Sequence, residues 1–443
     1  MLSDFFHRLL RRTSNGQQEK AGNRQVKLRV EILEDRLVPA TLHVGATQLY
    51  HTIMAAVTAS QSGDRILIDN GTYQEQVTVN KSIELRGQGN SVVVKSPTTL
   101  GAATAANPDA IVRVTGSTTH AEIEHLTITG ASSTGTQNLY YGIRVDGGAS
   151  AEIENNTITK IIDSSDVNRG VAIEVGNGGG DGTGAQVGQA DIENNNINNY
   201  QRAGIVIDHT GSRAEVRCND ITASATFNPS SQTGVQVSSG AAAHIRNNDI
   251  SGNTNGSDGT GVLLSSPGAY SSSDDDGDAD DFYFTVVRNN HISGNDYGIF
   301  GSSVASTLSG QPESAKISNN HVFDNTFVGM EFDNSSGLRI KNNFASENGS
   351  DNTGDGGIFL FNSTGNTLIN NHCSNNDGSG IYLDATSTGN TVTNNHCFGN
   401  DNTDGNADVV DISVGSGTAG TGNTWDDNHG DTFITISNET LFN

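Results

Sequence analysis

Cysteine and proline are scarce in this chain, with three of the first and six of the second in 443 residues. Three thiols are too few for a disulfide framework, so a small cross-linked scaffold is excluded and cysteine does not decide the compartment. Positive charge is short as well: 24 Lys and Arg stand against 50 Asp and Glu, a net of −26. Such a surface argues against nucleic acid as a partner. No apolar run is long enough to span a bilayer. Hydrophobic residues make up 33%, which would fill a compact globule poorly. What the chain does have is glycine, 53 residues of it, and asparagine in pairs at regular intervals.

The asparagine pairs belong to a phrase that returns as IENNTI at residues 153–158, IENNNI from Ile192, VRCNDI from Val216, IRNNDI from Ile245 and VRNNHI from Val287. It continues as ISNNHV from Ile317, IKNNFA from Ile340, LINNHC from Leu368, VTNNHC from Val392 and, decayed, WDDNHG from Trp425. A second phrase, Gly-apolar-x-apolar, precedes most copies: GIRV at Gly142, GIVI at Gly204, GVQV at Gly234, GVLL at Gly261, GMEF at Gly329, GIFL at Gly357 and GIYL at Gly380. In six units the Gly leads the first position of the pair by 13 or 14 residues, so both phrases form one repeating unit. Self-similarity at this period marks a solenoid. The phrases are short, alternate with period two and are bounded by Gly, Asn, Asp and Ser, so each unit reads as one coil of stacked β-strands. In such a stack equivalent residues lie about 4.8 Å apart. One Asn of each pair is then expected to ladder from coil to coil, with Cys218 standing in for a ladder Asn, and the second to adopt the left-handed conformation of a tight bend. Gly before the strand is expected to serve the same bend.

The pattern resembles the right-handed parallel β-helix superfamily, which includes pectate lyases, polysaccharide epimerases, pectin methylesterases and NosD-like periplasmic proteins. The resemblance is most specific at YHTIMAAVTASQSGDRILIDNGTYQEQVTVNKSIELRGQG, residues 50–89, with its short amphipathic helix, a GD turn at Gly63-Asp64, a strand, and GTY from Gly71. It implies an all-β fold, a single-stranded right-handed parallel β-helix of about eleven coils, with a helix capping the open apolar end of the first. Expected organisation is a basic leader over 1–40, a cap over 41–62 and the solenoid over 63–443. Catalytic signatures of these families are mostly missing: there is no NTD, DD, GHG, RIK series, no DPHD and no LGRPW, and DFYF from Asp281 matches the esterase DFIF only partly.

Residues 1–40 hold 8 of the 24 Lys and Arg against 5 acids, so the remainder carries 16 basic and 45 acidic residues, a net of 16 − 45 = −29. RVEILEDRLVPA, residues 29–40, resembles the LEDR-x-VPA segment at the start of many planctomycete exported proteins. That resemblance implies an export or processing leader and a secreted or cell-surface protein whose mature part begins near Thr41; the lack of a long apolar run argues against a transmembrane segment.

Strand alternation directs the second and fourth residues after each Gly outward. The outward columns hold Arg144, Phe300, Glu331, Phe359 and Tyr382, then Asp146, Asp208, Asp333, Phe361 and Asp384. Aromatic rings beside acids suit a polysaccharide: the rings stack on sugar faces and the carboxylates accept from hydroxyls. Candidate catalytic residues are therefore Glu331, Asp333 and Asp384, and candidate substrate-binding residues Phe300, Phe359, Tyr382 and Arg144. Two residues apart on one strand, Glu331 and Asp333 should lie about 7 Å apart, and Asp333 and Asp384, two coils apart, about 10 Å. Inverting glycosidases hold their acid and base about 6.5–9.5 Å apart.

Acidic turns suggest calcium, which takes hard oxygen ligands. Candidate ligands are Asp274, Asp276 and Asp278 in the insertion SSSDDDGDADD, residues 271–281, and Asp401, Asp404 and Asp408 in a late turn. The residue after the second Asn is His291, His321, Phe344, His372, His396 and His429 in the last coils, an imidazole edge of the kind that chelates Cu, Zn or Ni. Cys373 and Cys397 occupy equivalent positions and are expected to stack inward as thiols. Three insertions, residues 176–189, 265–283 and 301–315, interrupt the connection between the phrases and are expected to wall a groove. The sequence thus supports a secreted monomer that binds, and as an enzyme degrades or modifies, an extracellular polysaccharide as lyase or glycoside hydrolase. A non-catalytic surface or adhesion protein with calcium-stiffened loops and a NosD-like metal-handling protein are the alternatives.

Overall fold

The two phrases become the sides of a three-faced parallel β-helix in the computed structural model. It describes residues 39–98, 100, 109–132, 135–136, 138–166, 168–179, 184–223, 231–254, 258–268, 285–305, 313–349, 355–400, 407–435 and 441. The leader expected over 1–40 lies outside them, apart from Pro39 and Ala40. Gly-apolar phrases form the first face, a sheet of thirteen parallel strands from Val77–Val79 to Phe433–Thr435. Strands before and after the asparagine pair form the second and third faces, which join into one sheet of twenty-five strands. The joint is made by two early strands, Arg65–Gln74 and Glu84–Lys95, that run unbroken across both faces. Thirteen rungs exceed the eleven or so countable from the phrases, because the first rungs and the last lack the motif while keeping its alternation.

Strand pairings among the described residues are all parallel, and beyond one register shift between Asp69 and Gly71 in the early rungs they stay in register. Ile143, Ile173, Ile205, Val235, Val262, Ile299, Met330, Ile358, Ile381 and Val409 stack as one inward column of the first face. All ten are buried. Cys373 and Cys397 continue the inward column of the third face as buried free thiols, one rung apart. This one-residue-deep core needs few apolar residues per rung, which reconciles the fold with the composition.

Asparagine divides its labour in the reverse of the expected order. The first residue of each pair takes the left-handed conformation: Asn155, Asn194, Asn247, Asn289, Asn319, Asn342, Asn370 and Asn394 have φ between 53° and 57°. Cys218 sits at this bend with φ 57°, so it replaces a bend residue and not a ladder Asn. The second residue is buried and makes the ladder, running 156, 195, 219, 248, 290, 320, 343, 371, 395, 428. Each side chain also returns to backbone; Asn343 Nδ2 donates to Asn371 Oδ1 at 3.0 Å and to the Ile317 carbonyl at 2.9 Å. Two further ladders escaped the sequence reading. Asn253, Asn295, Asn325, Asn348, Asn376 and Asn400 stack at the turn into the first face. Asn366, Asn390 and Asn423 stack at the turn out of it.

The recurrent Gly also has another cause than a bend. Among the positive-φ glycines none of the phrase positions occurs. Instead a Cβ at Gly234 would lie 2.4 Å from Ile250 Cγ2 and 2.5 Å from the Gly261 carbonyl oxygen. The tight corner leaves no room for a side chain.

Helix Ile53–Ala59 closes the first rung. Ile53, Ala56 and Val57 are buried in the same core as Val44, Ile66 and Ile68. Its N-terminus is held twice: Thr52 Oγ1 accepts from Ala55 N–H at 3.2 Å, and the Glu75 carboxylate accepts from the N–H groups of Ile53 and Met54 at 2.8 and 2.9 Å. Lys81 Nζ donates to the carbonyls of Val57, Thr58 and Ser60 at the other end. These contacts satisfy the orphan groups of a helix too short to stand alone. No helix among the described residues is long and apolar enough to cross a membrane.

Candidate functional site

On the outside of the first face the in-register columns place Leu263, Phe300, Glu331, Phe359 and Tyr382 one above another. Glu331 is thus the carboxylate between two rings. The next outward column holds Ser302, Asp333 and Phe361. Tyr382 packs against Phe359 at 5.2 Å and Phe361 at 5.6 Å between centroids, with tilted planes. Phe300 meets Tyr297 at 5.6 Å, and Tyr297 meets Phe327 at 5.4 Å. Phe300, Tyr382 and Phe361 are half-exposed, whereas Phe359 is covered by its aromatic neighbours and only 6% exposed. Phe359 therefore supports the surface more than it forms it.

Burial sets the carboxylates apart. Glu331, half-buried among the rings, has its pKa pushed up to about 7, first by desolvation and then by the charges of Asp333 and Asp355. Asp333 is also raised, by burial and by the charge of Asp384, and its Oδ1 is buried without a hydrogen-bond partner among the described residues. Burial opposes ionisation of Asp384 too, but hydrogen bonds outweigh it and hold the group below the usual value. Asn362 N–H donates to Oδ1 at 3.1 Å and the Thr386 hydroxyl to Oδ2 at 2.6 Å. Three neighbouring acids thus divide: Glu331 is half-protonated near neutrality and Asp384 is held ionised, while Asp333 is raised. Separated pKa values of this kind mark out acid and base roles.

Sequence reasoning gave Tyr297 no role and placed Asp355 only among the acidic turns that suggest calcium. Tyr297 stands one residue before its Gly, in register with Thr260, so an aromatic at that position was an available signal. Asp355 comes from a turn of irregular length, which column counting cannot place.

Other expected site residues have different surroundings. Arg144 is wholly buried: its Nε lies 2.7 Å from Asp146 Oδ2 and its guanidinium 5.0 Å from the centroid of Tyr141. It points outward as alternation requires, yet neighbours on its own strand close over it, leaving no open face for a sugar. Asp408 is 2% exposed and both its oxygens are occupied. Oδ1 accepts from Asn400 Nδ2 at 2.9 Å, and Oδ2 from the N–H groups of Asp431 and Thr432 at 2.9 and 3.1 Å. It terminates an asparagine ladder, a role that leaves no lone pair facing solvent for calcium. Asp274, Asp276, Asp278, Asp401 and Asp404 lie outside the described residues.

The histidine edge is continuous on the third face. Ring centroids run His291–His321 5.7 Å, His321–Phe344 6.4 Å, Phe344–His372 5.5 Å, His372–His396 6.5 Å and His396–His429 4.8 Å. Burial and neighbouring imidazoles lower the pKa values of His321 and His396. Phe344 interrupts it with an apolar ring. A separate group on the second face, His120, Glu122 and Glu152, brings one ligand atom of each within 4.8 Å of the others. His120 Nε2 is 3.2 Å from Glu152 Oε1, and its Nδ1 is 2.9 Å from Ser150 Oγ, which fixes the ring. Donor types and spacing there are suited to a divalent cation.

These features define a class: a single-chain β-solenoid whose one outer face combines aromatic rings with carboxylates of divided protonation. The chain belongs to the family described as right handed beta helix region, whose model matches residues 180–345 and 277–442. No curated protein matches it in sequence. Among solved structures it is similar to the complex structure of XylC with xylose, at 12% identity and TM-score 0.50 over 90% of this chain and 85% of that one. It is also similar to the Dettilon tailspike protein, at 15% identity and TM-score 0.50, covering 86% of this chain but 64% of that one. The Azotobacter vinelandii mannuronan C-5 epimerase AlgE6 A-module aligns at 12% identity and TM-score 0.49, over 87% and 94% of the two chains. Identities this low speak to the fold.

Proposed function

We propose that the outer first face binds an extracellular polysaccharide and that Glu331 and Asp333 hydrolyse it. The observation that carries this reading is the placement of Glu331 in vertical register between Phe300 and Phe359, two rungs from Tyr382. The half-exposed rings of Phe300, Phe361 and Tyr382 on either side of Glu331 offer stacking platforms to sugars. A carboxyl half-protonated at neutrality has the proton that a glycosidic oxygen needs as its bond breaks. In the reaction Glu331 gives that proton to the leaving oxygen while Asp333 takes one from a water, whose oxygen bonds to the anomeric carbon. Side chains two residues apart on one strand stand about 7 Å apart, within the range of inverting enzymes. That a neighbour of similar fold is described in complex with xylose accords with a sugar ligand. Export through the leader at residues 29–40 would bring the protein to such a polymer.

Reducing-sugar release from a panel of polysaccharides tests the reading. Glu331→Gln and Asp333→Asn should each lower turnover at least a thousandfold while leaving polymer binding within about tenfold, a split expected when acid–base groups are removed. Binding by the native protein without turnover would make it a binding module, and absence of binding would sink the proposal.

A further inference from the structure

We infer that the polymer taken by this face is neutral, without uronic acid or sulfate groups; the inference rests on the reading of that face as a polysaccharide site. After Arg246 the chain contains four cationic side chains, Arg288, Lys316, Arg339 and Lys341. All four lie in second-face strands, Thr285–Arg288, Ala315–Ser318 and Leu338–Lys341. The first-face strands from Thr233–Ser238 onward contain none. Nor can a connecting segment supply one, since residues 247–443 hold no other Lys or Arg in any turn or insertion. The site meets its ligand with carboxylates and rings and with no Lys or Arg of its own.

An acidic sugar placed against Glu331, Asp333 and Asp384 would find no counter-charge, and its carboxylate would add to a crowd that already raises Glu331 and Asp333. Like charges set together in a partly desolvated groove reject a ligand strongly. A neutral sugar has what the face asks for: hydroxyls that donate to the carboxylates, and C–H faces that stack on Phe300, Phe361 and Tyr382. A divalent cation bridging protein and polymer carboxylates is the one arrangement that would reverse this preference.

The test is binding of the full chain to neutral glucans, xylans and mannans and to polyuronates of matched length, each in EDTA and in millimolar calcium. Neutral polymers should bind at least a hundredfold tighter in both buffers. Asp333→Asn should narrow the gap about tenfold, with Glu331→Gln at pH 8 as a second variant should Asp333→Asn fold poorly. Polyuronate binding as tight as neutral binding, in EDTA or on adding calcium, would overturn the inference while leaving the polysaccharide site standing. Binding of no polymer would remove both.

Discussion

Glu331 owes its chemistry to residues that are distant in sequence and adjacent only because of the stacking. Its neighbours in the column come from rungs ending at Ser302 and Phe361. Sign and size of the effect on stability follow from the raised pKa. Below pH 4 the carboxyl is protonated in folded and unfolded chain alike and the stability is full. As pH rises, the unfolded chain ionises first, and stability falls until the folded group also ionises near pH 7. Glu331→Gln should therefore leave stability nearly unchanged at pH 4 and raise it by about 1–3 kcal/mol at pH 8. Thermal unfolding at the two pH values reads this directly, and equal effects at both would contradict the burial argument. Outward orientation of Glu331, Asp333 and Asp384 was legible from alternation alone. Coverage of Arg144 and Phe359 was not, because it depends on rotamers and side-chain packing that a period of two does not encode.

At the scale of the element, the asparagine pair shows what repetition reveals and what it leaves open. Recurrence announced a ladder and a bend, but assigning them required backbone torsions, since both residues are asparagine in most copies. Cys218 was the one sequence clue: a thiol makes no amide ladder, so its place marks the bend. The assignment predicts unequal penalties within one pair. Asn343→Ala should cost about 3–5 kcal/mol, because it strands the buried Asn320 N–H, the Asn320 side-chain amide and the Ile317 carbonyl. Asn342→Gly should be nearly neutral, since glycine adopts positive φ freely. Urea unfolding midpoints separate the two, and similar losses would mean the ladder adds little. The ladders at the other two turns stand a constant five residues after and five before the main ladder asparagine, so they were legible in the sequence and escaped notice only because they lie outside the six-residue phrase.

For the whole molecule, one consequence of stacking is that rungs are interchangeable in position though not in function. Gly357 and Gly380 occupy equivalent places, with Ile358 opposite Ile381. Deleting residues 357–379 joins equivalent points and should leave a folded helix one rung shorter, visible as an unchanged β-type circular dichroism spectrum and a reduced radius of gyration. The same deletion removes Phe359 and Phe361 and should abolish polymer binding. Loss of the folded spectrum would show that the stack is not modular here. The solenoid itself was readable because its unit recurs; the extra rungs at either end were hidden because a strand without the motif still alternates.

The ladders have a direction. Side-chain amides point their oxygens toward the rung before and their N–H groups toward the rung after, so each file is a row of dipoles aligned head to tail with its positive pole at the late end. Two files end there on an anion, Asn400 on Asp408 and Asn423 on Asp411. The early end of the first of these receives a hydroxyl proton from Tyr200. Polarisation should pass along such a file as it does along a helix axis, each amide strengthening the next. The solenoid therefore has an electrical polarity that backbone geometry alone would not give it.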